Sequence, residues 1–283
     1  MISINPKEIS VSELHRYLLG SVGPRPIAFA STIDKNGNKN LAPFSYFNVF
    51  SANPPVLIFS PARSGRTNKH KDTYLNVKEV PEVVINVVTH AMVNQMSLAS
   101  SPYEKNIDEF TKSGFTPLKS ETVKPYRVLE SPVQFECQVY DVKELGSEGG
   151  AGNLIFCEIT RFHIEESIIN EEGSIDQLKI DLVSRMGGNW YLRSDKNSMF
   201  EVDKPISSVG IGVDALPDYI RLSRDLNGND LGKLGGMKKI PNSKDIEDVL
   251  SNYAGNFTVE TVKDKLNAND LTLAYAILYQ LNL

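Results

Sequence analysis

The sequence predicts a mainly β fold: a Greek-key antiparallel barrel with flanking helices and a helical C-terminal extension. First, apolar and β-branched runs of strand length recur between turn residues through most of the chain. Second, short turns rather than long helices join these runs, which favours antiparallel pairing over a doubly wound sheet. Third, the pattern after residue 241 becomes helical. We therefore expect a barrel domain at 1–241 and a helical extension at 242–283.

Turn signals bound the individual elements. A short amphipathic helix is expected from Val11 to Leu19. The pair Asn36-Gly37 tolerates positive φ and predicts a hairpin between IAFASTID and KNLAPFSYF. A helix is expected to begin at Asp72 or Thr73. Further strands are predicted at VLIFS, EVVINVV, VQFECQVYDVKEL and NLIFCEITRFHIEES.

Composition and charge limit the possible partners. The 283 residues are 41% hydrophobic and 23% charged, which is typical of a globular protein. A net charge of -5 argues against nucleic acid, which requires a broad basic surface. The longest apolar runs are well below the roughly 18 residues of a spanning helix, and the charged N-terminal stretch is unlike a signal peptide. We therefore expect a cytoplasmic protein without membrane association.

Cysteine and histidine positions give no sign of a metal centre. Cys137 and Cys157 each lie in an apolar strand-like run, so we expect buried, reduced thiols rather than zinc ligands. The histidines are scattered without ligand spacing, and no metal site is predicted. They are His15, His70, His90 and His163.

Hydroxylated and basic side chains cluster between residues 25 and 73, at expected strand ends and loops. The hydroxyls are Ser31, Thr32, Ser45, Ser60, Ser64, Thr67 and Thr73, and the basic residues are Arg63, Arg66, Lys69 and Lys71. Together with backbone N–H groups and the start of a helix, such groups can hold a phosphate. His70 lies in the same loop. The same composition is also common in hairpin edges and solvated loops, so both interpretations stay open.

Two glycine-containing segments resemble other nucleotide motifs only in part. Gly210, Gly212 and Ala215 spell GxGxxA, but no apolar strand precedes them and no βαβ unit surrounds them. The segment Gly228 to Lys233 is one residue short of a Walker A loop and is interpreted as a turn.

The ordered set of motifs resembles the flavin reductase-like family of FMN-binding split β-barrel proteins, which includes NADH:FMN oxidoreductase-like and flavoredoxin-like members. Each motif alone is weak, but together they follow the family's order over residues 20 to 240. They are PRPIAFAST (24–32), NLAPFSYFNVFSANPPVLIFS (40–60), the KDT of HKDTYLN (70–76), EVVINVV (82–88), IDEF (107–110), LESPVQFEC (129–137), SRMGGNWY (184–191) and LPDYIRLSRDLNGNDLGKLGG (216–236).

The resemblance implies a set of FMN-binding residues. The strand end at Ala30, Ser31 and Thr32 would border the isoalloxazine. The turn that would wrap the ribityl phosphate region comprises Ala42, Pro43, Phe44 and Ser45. Lys71 and Thr73 would contact the phosphate, and Asp72 would cap the following helix. Asn48 and Ser60 are candidates for ribityl or pyrimidine contacts.

The resemblance also implies a homodimer with the flavin near the interface. Residues expected to approach the partner's cofactor are Met186, Gly187, Gly188 and Tyr191. Trp190 and Tyr191 either stack on a ring or belong to the core or the interface, and the sequence leaves both open.

Flavin chemistry requires little acid or base from the protein, so no catalytic side chain is predicted. The first hypothesis is that NADH or NADPH reduces FMN, which passes electrons to an oxygenase partner, ferric ion or oxygen. The second is an FMN electron carrier without a nicotinamide site. The third is a nonenzymatic ligand-binding barrel. Donor and acceptor stay open.

Overall fold

The computed structural model describes residues 1–105, 107–202, 204 and 209–281. The chain divides into two compact units, Met1–Phe200 and Glu201–Leu283. The sequence-based boundary at 241/242 therefore falls inside the second unit. The reason is a shared hydrophobic core, because Ile220 and Leu234 pack in one cluster with Val262 and Ile277.

The first unit is built on antiparallel strands. Its strands are β1 (Ala28–Ile33), β2 (Lys39–Phe44), β3 (Phe47–Ala52), β4 (Pro55–Phe59), β5 (Glu82–Asn86), β6 (Pro117–Leu118), β7 (Arg127–Val128), β8 (Val133–Glu144), β9 (Asn153–Ile164), β10 (Val183–Arg185) and β11 (Tyr191–Arg193). In the described part of the chain, seven of them form one sheet in the order β2-β1-β5-β8-β9-β4-β3. The strands β6 and β7 form one small hairpin, and β10 and β11 another.

The two edges of the large sheet are joined by a very short connection. The edge strands β2 and β3 are consecutive in the chain, with only Ser45 and Tyr46 between them. The sheet must therefore curl until its edges meet. The backbone N–H of Ser60 also donates to the carbonyl of Tyr46 at 2.8 Å. Antiparallel pairing and the crossover from β4 to β5 confirm the mainly β, Greek-key barrel predicted from the sequence.

The first hairpin positions several of the predicted site residues. Strand β1 pairs with β2 so that Ala30 lies opposite Ala42 and Thr32 opposite Asn40. The turn contains Gly37 with φ of 84°, as the Asn-Gly signal predicted.

Helices flank the barrel and build the second unit. In the first unit they are α1 (Val11–Ser21), α2 (Asp72–Glu79), α3 (Val93–Ala99) and α4 (Glu109–Ser113). In the second they are α5 (Asp218–Arg221), α6 (Gly228–Gly235), α7 (Ser243–Ser251), α8 (Val259–Asn267) and α9 (Leu271–Leu281). The interpretation of Gly228 to Lys233 as a turn is wrong, because a reciprocal cap between Asn227 and Asp230 begins a helix there.

Three hydrophobic clusters of described residues lie in the first unit, and two of them pack against the first hairpin. Inside the barrel, Ala30 and Phe59 pack with Val77 of α2 and with Cys157. On the outside of the first hairpin, Phe29 packs in a second cluster with residues of α3 and α4. Cys137 and Cys157 are both buried and unpaired, as predicted, and burial raises the pKa of both thiols. Among the described helices, none has the length and apolar character needed to span a membrane.

Candidate functional site

A buried polar cluster joins the first hairpin to α2. The side-chain amide of Asn40 donates to the hydroxyl of Thr73 at 2.9 Å and to that of Thr32 at 3.3 Å. Asn76 donates to the same hydroxyl of Thr32 at 3.1 Å. Thr73 is only 1% exposed. The structure thus brings together two predicted site residues, Thr32 and Thr73, through Asn40. Asn76 of α2 adds a second bond to Thr32, and the sequence analysis singled out neither asparagine.

The start of α2 has no side-chain cap. Lys71 occupies the N-cap position and makes no capping hydrogen bond, while Asp72 is the first helical residue. The expectation that Asp72 caps this helix is therefore wrong. The first N–H groups of a helix have no acceptor within the helix, so an uncapped start can donate to an anion. The cationic side chain of Lys71 lies at the same place.

The loop between β4 and α2, residues 60–71, is braced by the connection between β8 and β9. The backbone N–H of Arg63 donates to the carbonyl of Ala151 at 2.8 Å, and that of Gly150 donates back to Arg63 at 3.0 Å. A Cβ at Gly149 would lie 3.0 Å from the carbonyl oxygen of Ser64, so only glycine permits this approach without displacement. The loop that carries the predicted phosphate-binding residues is therefore attached to the β8–β9 connection at Arg63 and Ser64.

His70 lies in this braced loop with one unpartnered nitrogen. Its ring stacks on Tyr74, with centroids 4.0 Å apart and planes 8° apart. Its Nε2 lies 2.5 Å from Nη1 of Arg63. Because a guanidinium can only donate, Nε2 accepts, and the neutral ring carries its proton on Nδ1. Among the described residues, nothing pairs with the buried Nδ1.

The hydroxyl of Tyr74 forms a hydrogen bond with a carboxylate. It donates to Oε1 of Glu144 at 2.5 Å. Burial and this hydrogen bond raise the pKa of Tyr74 to about 12. The phenol consequently keeps its proton and acts as a donor throughout the neutral range.

Arg25 connects two further predicted segments. Its Nη2 donates to the carbonyl of Met186 at 2.9 Å, and its Nε lies 3.4 Å from the hydroxyl of Ser45. It also donates to Leu19 at 2.8 Å and to Val22, at the end of α1. Sequence reasoning missed Arg25, although a charged residue between two prolines directly before a buried strand was a usable signal.

The Met186 segment lies close to α1. A Cβ on Gly187 would be 3.1 Å from Cα of Gly20, whereas Gly188 is exposed with φ of 57°. Arg185 lies over the ring of Tyr191 at 4.5 Å. Trp190 is 79% exposed, so it is not part of the monomer's core.

The remaining predicted residues are distributed along the first hairpin and β3. Ala42, Pro43 and Phe44 are half-buried in β2. Asn48 is exposed, and its side-chain oxygen accepts from the backbone N–H of Val49 at 2.8 Å. Ser31 is fully buried, and its hydroxyl has no partner among the described residues.

Comparison with known proteins identifies the family. Residues 20–179 match the flavin reductase like domain. The chain belongs to the flavin reductase-like family. An uncharacterized protein of Aquifex aeolicus is 35% identical over 188 residues, which span 66% of this chain and 93% of that protein.

Two solved structures of the flavin reductase-like fold resemble the chain closely. Nitrilotriacetate monooxygenase component B from Bacillus cereus has 31% identity and a TM-score of 0.67, covering 71% of this chain and 98% of that one. The 2-nitrobenzoate 2-nitroreductase of Pseudomonas fluorescens has 27% identity and a TM-score of 0.64, covering 74% of this chain and 100% of that one. The recognition of the family from its motifs is thereby confirmed.

The residues present fit the flavin that this family implies. The unpartnered Nδ1 of His70, the cation of Lys71 and the uncapped start of α2 belong to consecutive residues, and groups of this kind are suited to a phosphate. The unpartnered hydroxyl of Ser31 offers one more polar group on β1. In the part of the chain that the structure describes, no group of His, Cys, Asp and Glu is arranged to hold a metal ion.

Proposed function

We propose that this protein is an oxidoreductase that carries electrons from NADH or NADPH through FMN to an acceptor. The observation that carries the proposal is the joining of Thr32 to Thr73 next to the uncapped start of α2, in a flavin reductase-like fold. The likeness to a monooxygenase component and to a nitroreductase, both above a quarter identity, supports reductive chemistry. An oxygenase partner, ferric ion and oxygen are the candidate acceptors.

Each segment of the site has a proposed role in holding FMN. Lys71, Thr73 and the first turn of α2 bind the phosphate, and Asn48 and Ser60 contact the ribityl chain or the pyrimidine. Residues beside the ring and the ribityl phosphate region are Ala30, Ser31, Thr32, Ala42, Pro43, Phe44 and Ser45. When bound, flavin supplies the chemistry of accepting two electrons from a nicotinamide and releasing them to an acceptor. The protein binds, orients and shields the site.

We also propose that two copies of this chain form a dimer. The outer residues of β3, Val49 and Phe50, are more than 60% exposed, and the exposed Trp190 lies in the β10–β11 turn. Large exposed apolar side chains are typical of association surfaces. In the dimer, Met186, Gly187, Gly188 and Tyr191 approach the partner's cofactor. Sedimentation at micromolar concentration tests this, and a purely monomeric species contradicts it.

The absorption spectrum of the purified protein with added FMN tests the function. Visible flavin bands retained through gel filtration, and bleached by anaerobic NADH or NADPH, are expected, and the effective nucleotide identifies the donor. Retained bands that bleach only with dithionite indicate an electron carrier without a nicotinamide site. Loss of all flavin indicates a nonenzymatic barrel and contradicts the proposal.

A further inference from the structure

Arg25 is a buried cation without a counter-charge. Its side chain contacts three carbonyl oxygens and one hydroxyl, all of them neutral, and the residue is 6% exposed. Among the described residues, no carboxylate forms an ion pair with it. A buried charge is normally paired, because neutral acceptors replace only part of the hydration that it loses.

A second cation, Arg185, lies near Arg25 and adds to the positive charge there. Arg25 and Arg185 are joined through their backbones, with N–H donation in both directions at 3.0 and 2.8 Å. Burial is the main cause that lowers the pKa of Arg25; the nearby Tyr46 opposes this shift, and Arg185 adds to it. Two neighbouring arginines make the local potential positive beside Ser45 and Met186, which favours a negatively charged ligand.

Two of the four residues that the Arg25 side chain contacts, Ser45 and Met186, belong to the proposed flavin site, whereas Leu19 and Val22 lie at the end of α1. Ser45 lies between β2 and β3, and Met186 begins the β10–β11 turn. The guanidinium thus has a position from which its charge acts on a molecule that touches either segment.

We propose that Arg25 is a further residue of the cofactor site and supplies positive charge to an anionic group of the bound flavin. This inference rests on the proposed function. Two groups have that chemistry. One is the phosphate ester, which is charged in both oxidation states. The other is the ring, which gains one negative charge when it takes up two electrons and one proton.

The test compares two Arg25 variants with a control variant on the β10–β11 hairpin. Arg25→Gln removes the charge and keeps a donor, and Arg25→Lys keeps the charge. Arg193→Gln removes an exposed cation of β11 and controls for net charge. The measurements are the midpoint potential during anaerobic dithionite titration against a reference dye, and the dissociation constants of FMN and riboflavin.

We expect Arg25→Gln to show one of two changes. If the ring is the target, the equilibrium constant for two-electron reduction falls at least tenfold, about 30 mV per factor of ten. If the phosphate is the target, the preference for FMN over riboflavin falls at least tenfold. Arg25→Lys keeps most of the wild-type value, and Arg193→Gln changes neither quantity.

An unchanged potential together with an unchanged preference for FMN in a folded Arg25→Gln protein overturns the inference. Equal losses in the Lys and Gln variants also overturn it, because charge is then not the relevant property. Should the Gln variant fail to fold, Arg25→Met provides the neutral side chain, since apolar replacement of buried ions is often tolerated. A wild-type protein that binds no flavin refutes the proposed function itself, which is a different result from flavin binding that is insensitive to Arg25.

Discussion

Two buried charges in the first unit differ in how completely they are paired. Glu136 of β8 is fully buried, and its carboxylate accepts from the backbone N–H groups of Glu121 and Thr122 and from Nε2 of His163 at 2.8 Å. Arg127 lies 3.6 Å away. Arg25, by contrast, contacts only neutral oxygens. The charge of Glu136 is thus neutralised within the fold, whereas the charge of Arg25 is the one that we propose acts on a ligand.

The pairing of Glu136 also changes its acidity. Burial alone would raise the pKa of Glu136, but the hydrogen bonds from Glu121, Thr122 and His163 lower it to about 2. These bonds attach the segment between β6 and β7 to the sheet. Glu136 therefore has a structural role, and removal of its charge should lower the free energy of unfolding.

The largest effect is expected for Glu136→Gln. The substitution leaves Arg127 and His163 without their carboxylate, and we expect a loss of about 3 to 5 kcal/mol in the free energy of unfolding. Urea denaturation measures it. Glu158→Gln on β9, an exposed position, should change stability by less than about 0.5 kcal/mol. Comparable losses of stability in Glu136→Gln and Glu158→Gln would contradict a special structural role of the buried carboxylate.

A fall in pH should lower the stability of the protein through protonation of Glu136. Because the pKa of Glu136 is lowered on folding, its contribution is complete above the unfolded value of 4.5 and is lost as pH falls toward about 2. The loss amounts to about 3 kcal/mol. Urea midpoints measured from pH 6 down to pH 3 should therefore decline more steeply for wild type than for Glu136→Gln. Parallel curves would show that Glu136 does not carry this dependence.

At the cofactor site, Lys71→Ala combined with Thr73→Ala should weaken FMN binding by about 2 to 3 kcal/mol. Each change removes a hydrogen bond to a charged phosphate. Fluorescence titration measures the affinity, and Lys78→Ala in the last turn of the same helix is the control. An unchanged affinity in the double variant would refute the phosphate placement, whatever the outcome at Arg25.

A smaller effect is expected at the brace of the phosphate loop. In Gly149→Ala the added Cβ meets the carbonyl of Ser64 at 3.0 Å and displaces the loop. We expect a stability loss of about 1 kcal/mol and weaker FMN binding. Gly65→Ala, in the same loop but with open space around the added carbon, should have neither effect. If both variants bind FMN like wild type, the brace does not position the site.

Local patterns were enough to predict most of the barrel. Alternating apolar runs and the Asn36-Gly37 turn identify strands because they depend on neighbouring residues only. The cap that begins α6 was missed because the glycines of that segment were given more weight than Asn227 and Asp230. The domain boundary was missed because it depends on which helices share a core.

The proposed site residues could be chosen from the sequence only where a family motif contains the residue itself. Thr32 and Thr73 belong to family motifs, whereas Asn40 and Asn76, which hold them, are defined by contacts across the fold. The roles of Arg25 and Glu136 depend on partners that are distant in sequence, at Met186 and His163. The hydrophobic periodicity of a sequence contains no information about contacts between residues that are distant in the chain.

The two-residue connection between β2 and β3 links ligand binding to the stability of the barrel. Ser45 and Tyr46 are where the two edges of the sheet meet, and Ser45 is also a proposed cofactor contact. A molecule that binds the native barrel across this join, and not the unfolded chain, stabilises the fold by mass action. The amount of FMN in a cell would then set the lifetime of the protein as well as its activity, because the unloaded form is the one that opens more often.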